Sequence, residues 1–378
     1  MTISVVEVAA RRDALLAELR TVVELESPST DKAAVDRLVA YLRARARELG
    51  AAIEEYPQVD YGDLTVASWP AHGGAPTEPL LVLTHIDTVW PVGTLARRPF
   101  RIEGDTAYGP GIYDMKASVV MFLEAVRLLR ERHLLHRPIR WLINTEEEVG
   151  SPVSRPLIER EAQSSALVLC LEPPAPGGAL KTARKGVGMF TVRISGRAAH
   201  AGAEPERGVS AIQELANQIA YLHSLNDPAT GTTVNVGVVG GGTRSNVVAA
   251  EAWAKVDVRV ATREEAERVT AAVLGARPWL PGATVTVEGG LNRPPMERTP
   301  AIAAAFERAR EIGRELGLEL REAATGGASD GNFTAALGVP TLDGLGCPGD
   351  GAHAEHEQIS LSGLIERTAL LALLLHRL

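Results

Sequence analysis

Leu80-Leu81-Val82-Leu83-Thr84-His85-Ile86-Asp87 is the stretch whose reading decides the fold. It opens with a continuous apolar run, short enough for a strand buried on both faces. His85 and Asp87 stand at its end. Further on comes Gly109-Pro110-Gly111-Ile112-Tyr113-Asp114-Met115-Lys116, a Gly/Pro turn with one carboxylate, followed by a helical stretch. A His and an Asp at the mouth of a buried strand, with another Asp in a rigid turn, suggest a metal site. The plain alternative is a His closing a strand and two solvated loop aspartates.

Outward from this strand the pattern repeats. Residues 5–25 and 31–49 read as helices, with Thr30 as N-cap of the second and Gly50 at its C-terminal end. Strands are expected at 52–56 and 64–69, then the central one, then a helix over 118–135. A strand at 139–144 ends at Glu146-Glu147-Glu148. A helix near 155–163 leads to a strand at 166–171, which ends at Glu172. Apolar strands alternating with helices predict an α/β domain, a mostly parallel sheet covered by helices.

After Lys185 the period changes. Phe190, Val192 and Ile194 alternate with polar residues, as do Val256, Val258 and Val260. Such strands belong to a sheet with one open face. The order over 187–289 is strand, helix, strand, strand, helix, strand, with Thr262 and Glu265 as a capping box. This predicts a ferredoxin-like α+β unit inserted into the first domain. The expected partition is 1–185 and 293–378 for the first domain and 186–292 for the insert. Thr299-Pro300 starts a helix on return. A short helix after Ser329-Asp330, a strand at 339–342 and a helix from Leu361 complete the chain.

The 378 residues are enough for two domains, and 45% hydrophobic with 23% charged residues is ordinary for a globular protein. A net charge of -8 without a basic run argues against nucleic acid as a partner. No signal peptide is read at the N-terminus, and the apolar stretch 364–375 is interrupted by Glu366 and Arg367. The expectation is therefore a cytoplasmic protein with no membrane span. Cys170 and Cys347 make no disulfide framework.

His85, Glu147 or Glu148, Glu172 and His353 all follow apolar strands, at the edge where open α/β sheets bind ligands. Asp114 joins them from its turn. Two imidazoles and three carboxylates suit zinc, with cobalt or manganese compatible. One catalytic zinc usually takes three protein ligands. Five, with one carboxylate bridging, suit two ions about 3.5 Å apart. Of two adjacent glutamates, one can hold metal while its neighbour moves a proton. Asp87 fits a group that fixes the His85 ring. Gly344-Leu345-Gly346-Cys347-Pro348-Gly349 matches a dinucleotide pattern, but it is far from the first strand and carries Pro348, so it is set aside.

These segments, with Asn144-Thr145-Glu146-Glu147-Glu148-Val149-Gly150-Ser151, Glu172-Pro173, Gly196-Arg197-Ala198-Ala199-His200-Ala201-Gly202 and Gly349-Asp350-Gly351-Ala352-His353, resemble the co-catalytic di-zinc aminoacylase and carboxypeptidase family. The glutamate carboxypeptidase branch is the most similar, with acetylornithine deacetylase and succinyl-diaminopimelate desuccinylase as relatives. The resemblance covers nearly the whole chain. It implies that Asp114 bridges two zinc ions, that His85 and Glu172 complete one, and that Glu148 and His353 complete the other. It implies Glu147 as general base and Asp87 as orienter of His85. It places His200, Asn246 and Arg259 around the substrate, and a cis peptide after Asp114. It also implies a homodimer through the inserted lid unit, with His200 reaching the partner's active site. The segment Ala354-Glu355-His356-Glu357 is tighter than the family pattern, which leaves His356 as a rival to His353.

The activity so implied is hydrolysis of an amide bond in a peptide or N-acyl amino acid. A metal-bridging hydroxide would attack, Glu147 would handle the proton, His200 would stabilise the oxyanion, and Arg259 would hold a free carboxylate. A deacylase for diamino or basic N-acyl amino acids is the alternative enzyme. A noncatalytic binding homologue is the alternative from another class.

Overall fold

The computed structural model describes residues 3–73 and 78–378. Its central strand, Leu80–His85, is buried at every position. Parallel neighbours lie on both sides: Ile139–Asn144 and Leu167–Cys170. Thr341–Leu342 continues the parallel array beyond the latter. On the other flank Leu64–Trp69 runs antiparallel to Ile139–Asn144, and the edge strand Ala52–Tyr56 runs antiparallel to Leu64–Trp69. The six-stranded sheet is thus mostly parallel, with Leu64–Trp69, next to one edge, reversed.

The alternation of side chains explains the unbroken apolar run. Leu80 and Val82 join the core under helices Arg12–Glu24, Ala117–Glu131 and Leu361–Arg377. Leu81 and Leu83 enter a second core with Leu157, Ile158 and Phe333, beneath Arg155–Gln163 and Gly331–Ala336. A strand covered on both faces needs apolar residues at odd and even positions alike.

The chain divides into two compact units. The first comprises Met1–Ala183, Arg298–Thr325 and Ser329–Leu378, and the second Arg184–Glu297 with Gly326–Ala328. The second unit has a four-stranded antiparallel sheet. Its order is Thr233–Gly241, Glu251–Val260, Gly186–Ser195, Thr284–Arg293. The first strand in sequence lies between the third and the fourth, the ferredoxin-like order. Helices Ala211–Ser224 and Arg263–Leu274 bury one face through Phe190, Val192, Leu215, Val258 and Val269. Near the unit's ends, Arg184 and Met296 exchange two backbone hydrogen bonds of 2.9 and 3.0 Å. In the first unit, Glu322 accepts from Thr182 at 2.8 Å and from Arg298 at 2.7 and 2.8 Å.

Several local expectations are corrected. The first helix is two, Val5–Ala9 and Arg12–Glu24, because the chain turns at Ala10 and Arg11. Arg11 reaches Glu124 there, a partner more than a hundred residues away that no local pattern announces. Asp31, not Thr30, caps the helix Lys32–Glu48, its carboxylate accepting from the Ala34 N–H. Thr262 accepts from the Glu265 N–H, but the Glu265 carboxylate turns to Arg268 and Thr232. The box is therefore half formed.

A small antiparallel sheet has no counterpart in the sequence reading. Gly349–Asp350 pairs with Gln358–Ser360, which pairs with Thr106–Tyr108, which pairs with Arg101–Glu103. It attaches the loop that holds His353 to the strand leading into the Asp114 turn. Among the described residues no helix is long and apolar enough to cross a membrane.

Candidate metal centre

His85 is the last residue of the central strand, and its ring is held from behind. Nδ1 lies 3.1 Å from the Asp87 carbonyl oxygen and 3.4 Å from Asp87 Oδ1. Nε2 therefore faces outward, 3.0 Å from Asp114 Oδ1 and 3.5 Å from Glu172 Oε1.

Asp87 is wholly buried and does more than touch the ring. Oδ1 accepts from the Glu147 N–H and Oδ2 from the Glu148 N–H, both at 3.1 Å. Oδ2 also accepts from the Ser29 hydroxyl at 2.6 Å. One carboxylate thus fixes the strand end carrying His85 against the turn Glu147–Val149.

Asp114 sits in the turn Ile112–Lys116, and its peptide bond to Met115 is cis, as the resemblance implies. Gly111 enters this turn at a φ of 70°, where a β-carbon would also collide with the Thr88 methyl. His353 has a φ of 62° in its loop. Its Nε2 lies 3.0 Å from Glu148 Oε2 and 3.5 Å from Asp114 Oδ2. His356, the rival, faces the exposed Asp350 at 3.8 Å instead.

Within the first unit the structure therefore brings together His85, Asp87, Asp114, Glu147, Glu148, Glu172 and His353. Donor atoms of His85, Asp114 and Glu148 lie within 4.8 Å of one another, and so do those of His85, Glu147 and Glu172. Such convergence of carboxylates demands positive charge. Burial disfavours a charged His85, yet Asp114 and Asp87 hold its pKa well above the ordinary range. Asp114 and Glu148 raise His353 to about 10. Burial opposes ionisation of Asp114, but His353 and His85 keep it well below the usual carboxylate range. Burial pushes Glu148 up against the pull of His353. A nitrogen and oxygen donor set whose acids lean on the same imidazoles fits a hard or borderline cation.

The other three expected residues belong to the second unit. His200 is exposed, and its Nδ1 accepts from the Gly202 and Ala203 N–H groups at 3.2 and 3.0 Å. The ring proton then sits on Nε2. Asn246 is its neighbour, for the Asn246 carbonyl accepts from the Ala201 N–H at 3.0 Å. Arg259 forms a two-bond pair with Asp257 at 2.8 and 2.9 Å, which the strand pattern did not foretell.

Sequence reasoning also missed supports. Asn144 Nδ2 donates to Ser151 and Asp330, and its Oδ1 accepts from the Thr145 and Glu146 N–H groups. Glu146, read as part of an acidic run, is buried. Its carboxyl is pushed up to about 7 by that burial and accepts from the Ser154 N–H at 2.8 Å. The signal was present only as Asn144 and Glu146 closing a buried strand.

Residues 81–377 match the profile of peptidase family M20/M25/M40. The chain belongs to this family. Over 373 residues it is 33% identical to carboxypeptidase G2 of Pseudomonas sp. (strain RS-16), covering 96% of this chain and 88% of that one. This supports the glutamate carboxypeptidase branch of the M20 peptidases. Two solved structures share the fold. The aminopeptidase PepT of Bacillus cereus ATCC 10987 has a TM-score of 0.82 at 24% identity, covering 97% of this chain and 98% of that one. The YXEP protein of Bacillus subtilis, described as a dinuclear metal binding M20 peptidase, has a TM-score of 0.70 at 16% identity, covering 97% and 98%. The M20 assignment makes this chain a peptidase or related hydrolase of a metal-dependent family.

Proposed function

We propose that the chain is a metal-dependent amide hydrolase acting on a peptide or N-acyl amino acid, in the manner of a carboxypeptidase. The observation that carries this reading is the Asp87 carboxylate, which sets His85, Glu147 and Glu148 around one point. His85 and Glu172 would hold one ion, Glu148 and His353 a second, and Asp114 both. Zinc is the favoured ion, with cobalt or manganese compatible. When bound, such ions polarise the carbonyl and lower the pKa of water to about 7.

Glu147 takes a proton from the attacking water and returns it to the leaving amine. Its backbone is fixed by Asp87 at 3.1 Å. His200 would offer its Nε2–H to the developing oxyanion. Arg259 would bind the substrate carboxylate with its fork, in competition with Asp257. Asn246 would shape the same recognition surface. The second unit is proposed as the lid and as the contact of a homodimer, with His200 serving the neighbouring subunit.

The test is a panel of C-terminal dipeptides and N-acyl amino acids, assayed with zinc or cobalt and with a chelator as control. Metal-dependent release of the free amino acid is the expected result. Release only from N-acyl diamino acids would move the protein to the deacylase reading. No hydrolysis by the metal-loaded protein would favour a binding homologue.

A further inference from the structure

Glu357 is a deeply buried carboxylate that the mechanism above leaves unused. It is 1% exposed, four residues beyond His353, at the base of the hairpin between Gly349–Asp350 and Gln358–Ser360. Its two oxygens meet four donors. Oε2 accepts from the Gly111 N–H and from Trp90 Nε1–H, both at 2.8 Å. Oε1 accepts from the Tyr113 N–H at 2.9 Å and the Asp114 N–H at 3.1 Å. Three of these are backbone donors of the one turn that presents Asp114.

The surroundings reinforce the link. Arg98 stacks over the Trp90 ring, 4.2 Å from its centroid, and Nη2 donates to the carbonyl of Ala354, the residue after His353. The turn bearing Asp114, the segment from Trp90 to Arg98 and the loop bearing His353 thus share one buried carboxylate.

We propose that Glu357 is a positioning residue for the metal centre: its carboxylate organises the Asp114 turn and ties it to the His353 loop, so that the two ligands keep the spacing a bound cation needs. The role rests on the metal-centre reading given above. The chemistry requires a carboxylate. A glutamine of the same size has one acceptor oxygen, and its amide would direct N–H groups at two donors that already need acceptors. An aspartate keeps both acceptor oxygens but is shorter, so it can serve only some of the four donors.

The experiment measures zinc affinity of the metal-free protein by competition with a chromogenic chelator, and the thermal midpoint with and without zinc, for wild type, Glu357→Gln and Glu357→Asp. Partners outside the ligand shell typically change affinity 10–100-fold. Glu357→Gln is expected to weaken zinc binding by that factor and to lose most of the zinc-induced rise in midpoint. Glu357→Asp is expected to fall between it and wild type. A merely structural glutamate would lower the midpoint equally with and without zinc and leave affinity unchanged. Affinity of Glu357→Gln within twofold of wild type overturns the proposal. If that variant does not fold, wild-type affinity in Glu357→Asp overturns it instead. A wild-type protein that takes up no zinc would overturn the metal reading itself, and the positioning role with it.

Discussion

Glu147 and Glu148 are adjacent, and their N–H groups are held by different oxygens of the same aspartate. Their carboxylates nevertheless face different partners. Glu148 reaches His353 at 3.0 Å, while Glu147 groups with His85 and Glu172. Glu147→Ala is expected to lower kcat by 10²–10⁴, the usual contribution of a general base, with metal content unchanged. Glu148→Ala is expected to lose about one equivalent of metal. Elemental analysis beside turnover separates the two, and metal lost from the Glu147 variant would reverse the assignment. The cysteines offer a second residue-scale test. Both are buried, and burial pushes the Cys347 thiol far above its ordinary value. A thiol reagent at pH 8 should therefore find none in the native protein and two after denaturation. Sequence alone exposed His85, Asp114, Glu172 and His353, because each closes a buried strand or interrupts a Gly/Pro turn. It could not expose Glu357 or the pairing of Arg259 with Asp257. A loop glutamate and an alternating strand residue look the same whether solvated or clamped, and only the fold supplies their partners.

At the scale of elements, the helix Leu361–Arg377 begins with a compact polar knot. The Ser360 hydroxyl accepts from the Gly363 N–H at 3.0 Å and donates to Asp105 at 2.9 Å. Asp105 also accepts from the Ser362 N–H and hydroxyl. Ser360→Ala should cost about 0.5–2 kcal/mol, as for other N-caps. The Ser362 hydroxyl and then that of Ser360 hold the Asp105 carboxyl below its usual range. A depressed folded value means that Asp105 adds stability above about pH 4, lost as pH falls through that folded value. Asp105→Asn should therefore lose less than wild type between pH 7 and pH 3, by comparison of urea midpoints. Equal acid losses would show that the knot does not depend on the charge. The same helix illustrates what the pattern conveyed and what it did not. Its apolar character and its start at Leu361 were plain, but the partner that braces its cap, Asp105, lies far away in sequence. The mostly parallel core and the ferredoxin-like unit were legible because burial on two faces or on one imposes different periods. The small sheet joining 101–108 to 349–360 was not, since strands of two or three residues carry no period.

At the scale of the molecule, the two units have separate hydrophobic cores. The seven residues of the candidate centre all belong to the first. Calorimetry should resolve two transitions, and zinc at about a hundred times its Kd should stabilise one of them by about 2.7 kcal/mol. Hydrogen exchange assigns them: Leu80–His85 should gain protection with zinc, and Gly186–Ser195 should not. Equal protection of both strands would mean that the units unfold together.

The place where the chain leaves its first unit at Arg184 and comes back after Glu297 also bears on how such a protein can be rearranged. Thr182 and Arg298 are held by the same glutamate, and Arg184 and Met296 by each other. The stretch Arg184–Glu297 therefore leaves and returns at one spot, like a phrase in parentheses. At the level of the gene that stretch can be exchanged as a block, the two cut ends being near each other, with Gly326–Ala328 the part of the second unit left outside it. If the inserted phrase carries the recognition proposed above, exchanging it would change what is recognised and leave the sentence around the candidate metal centre as written.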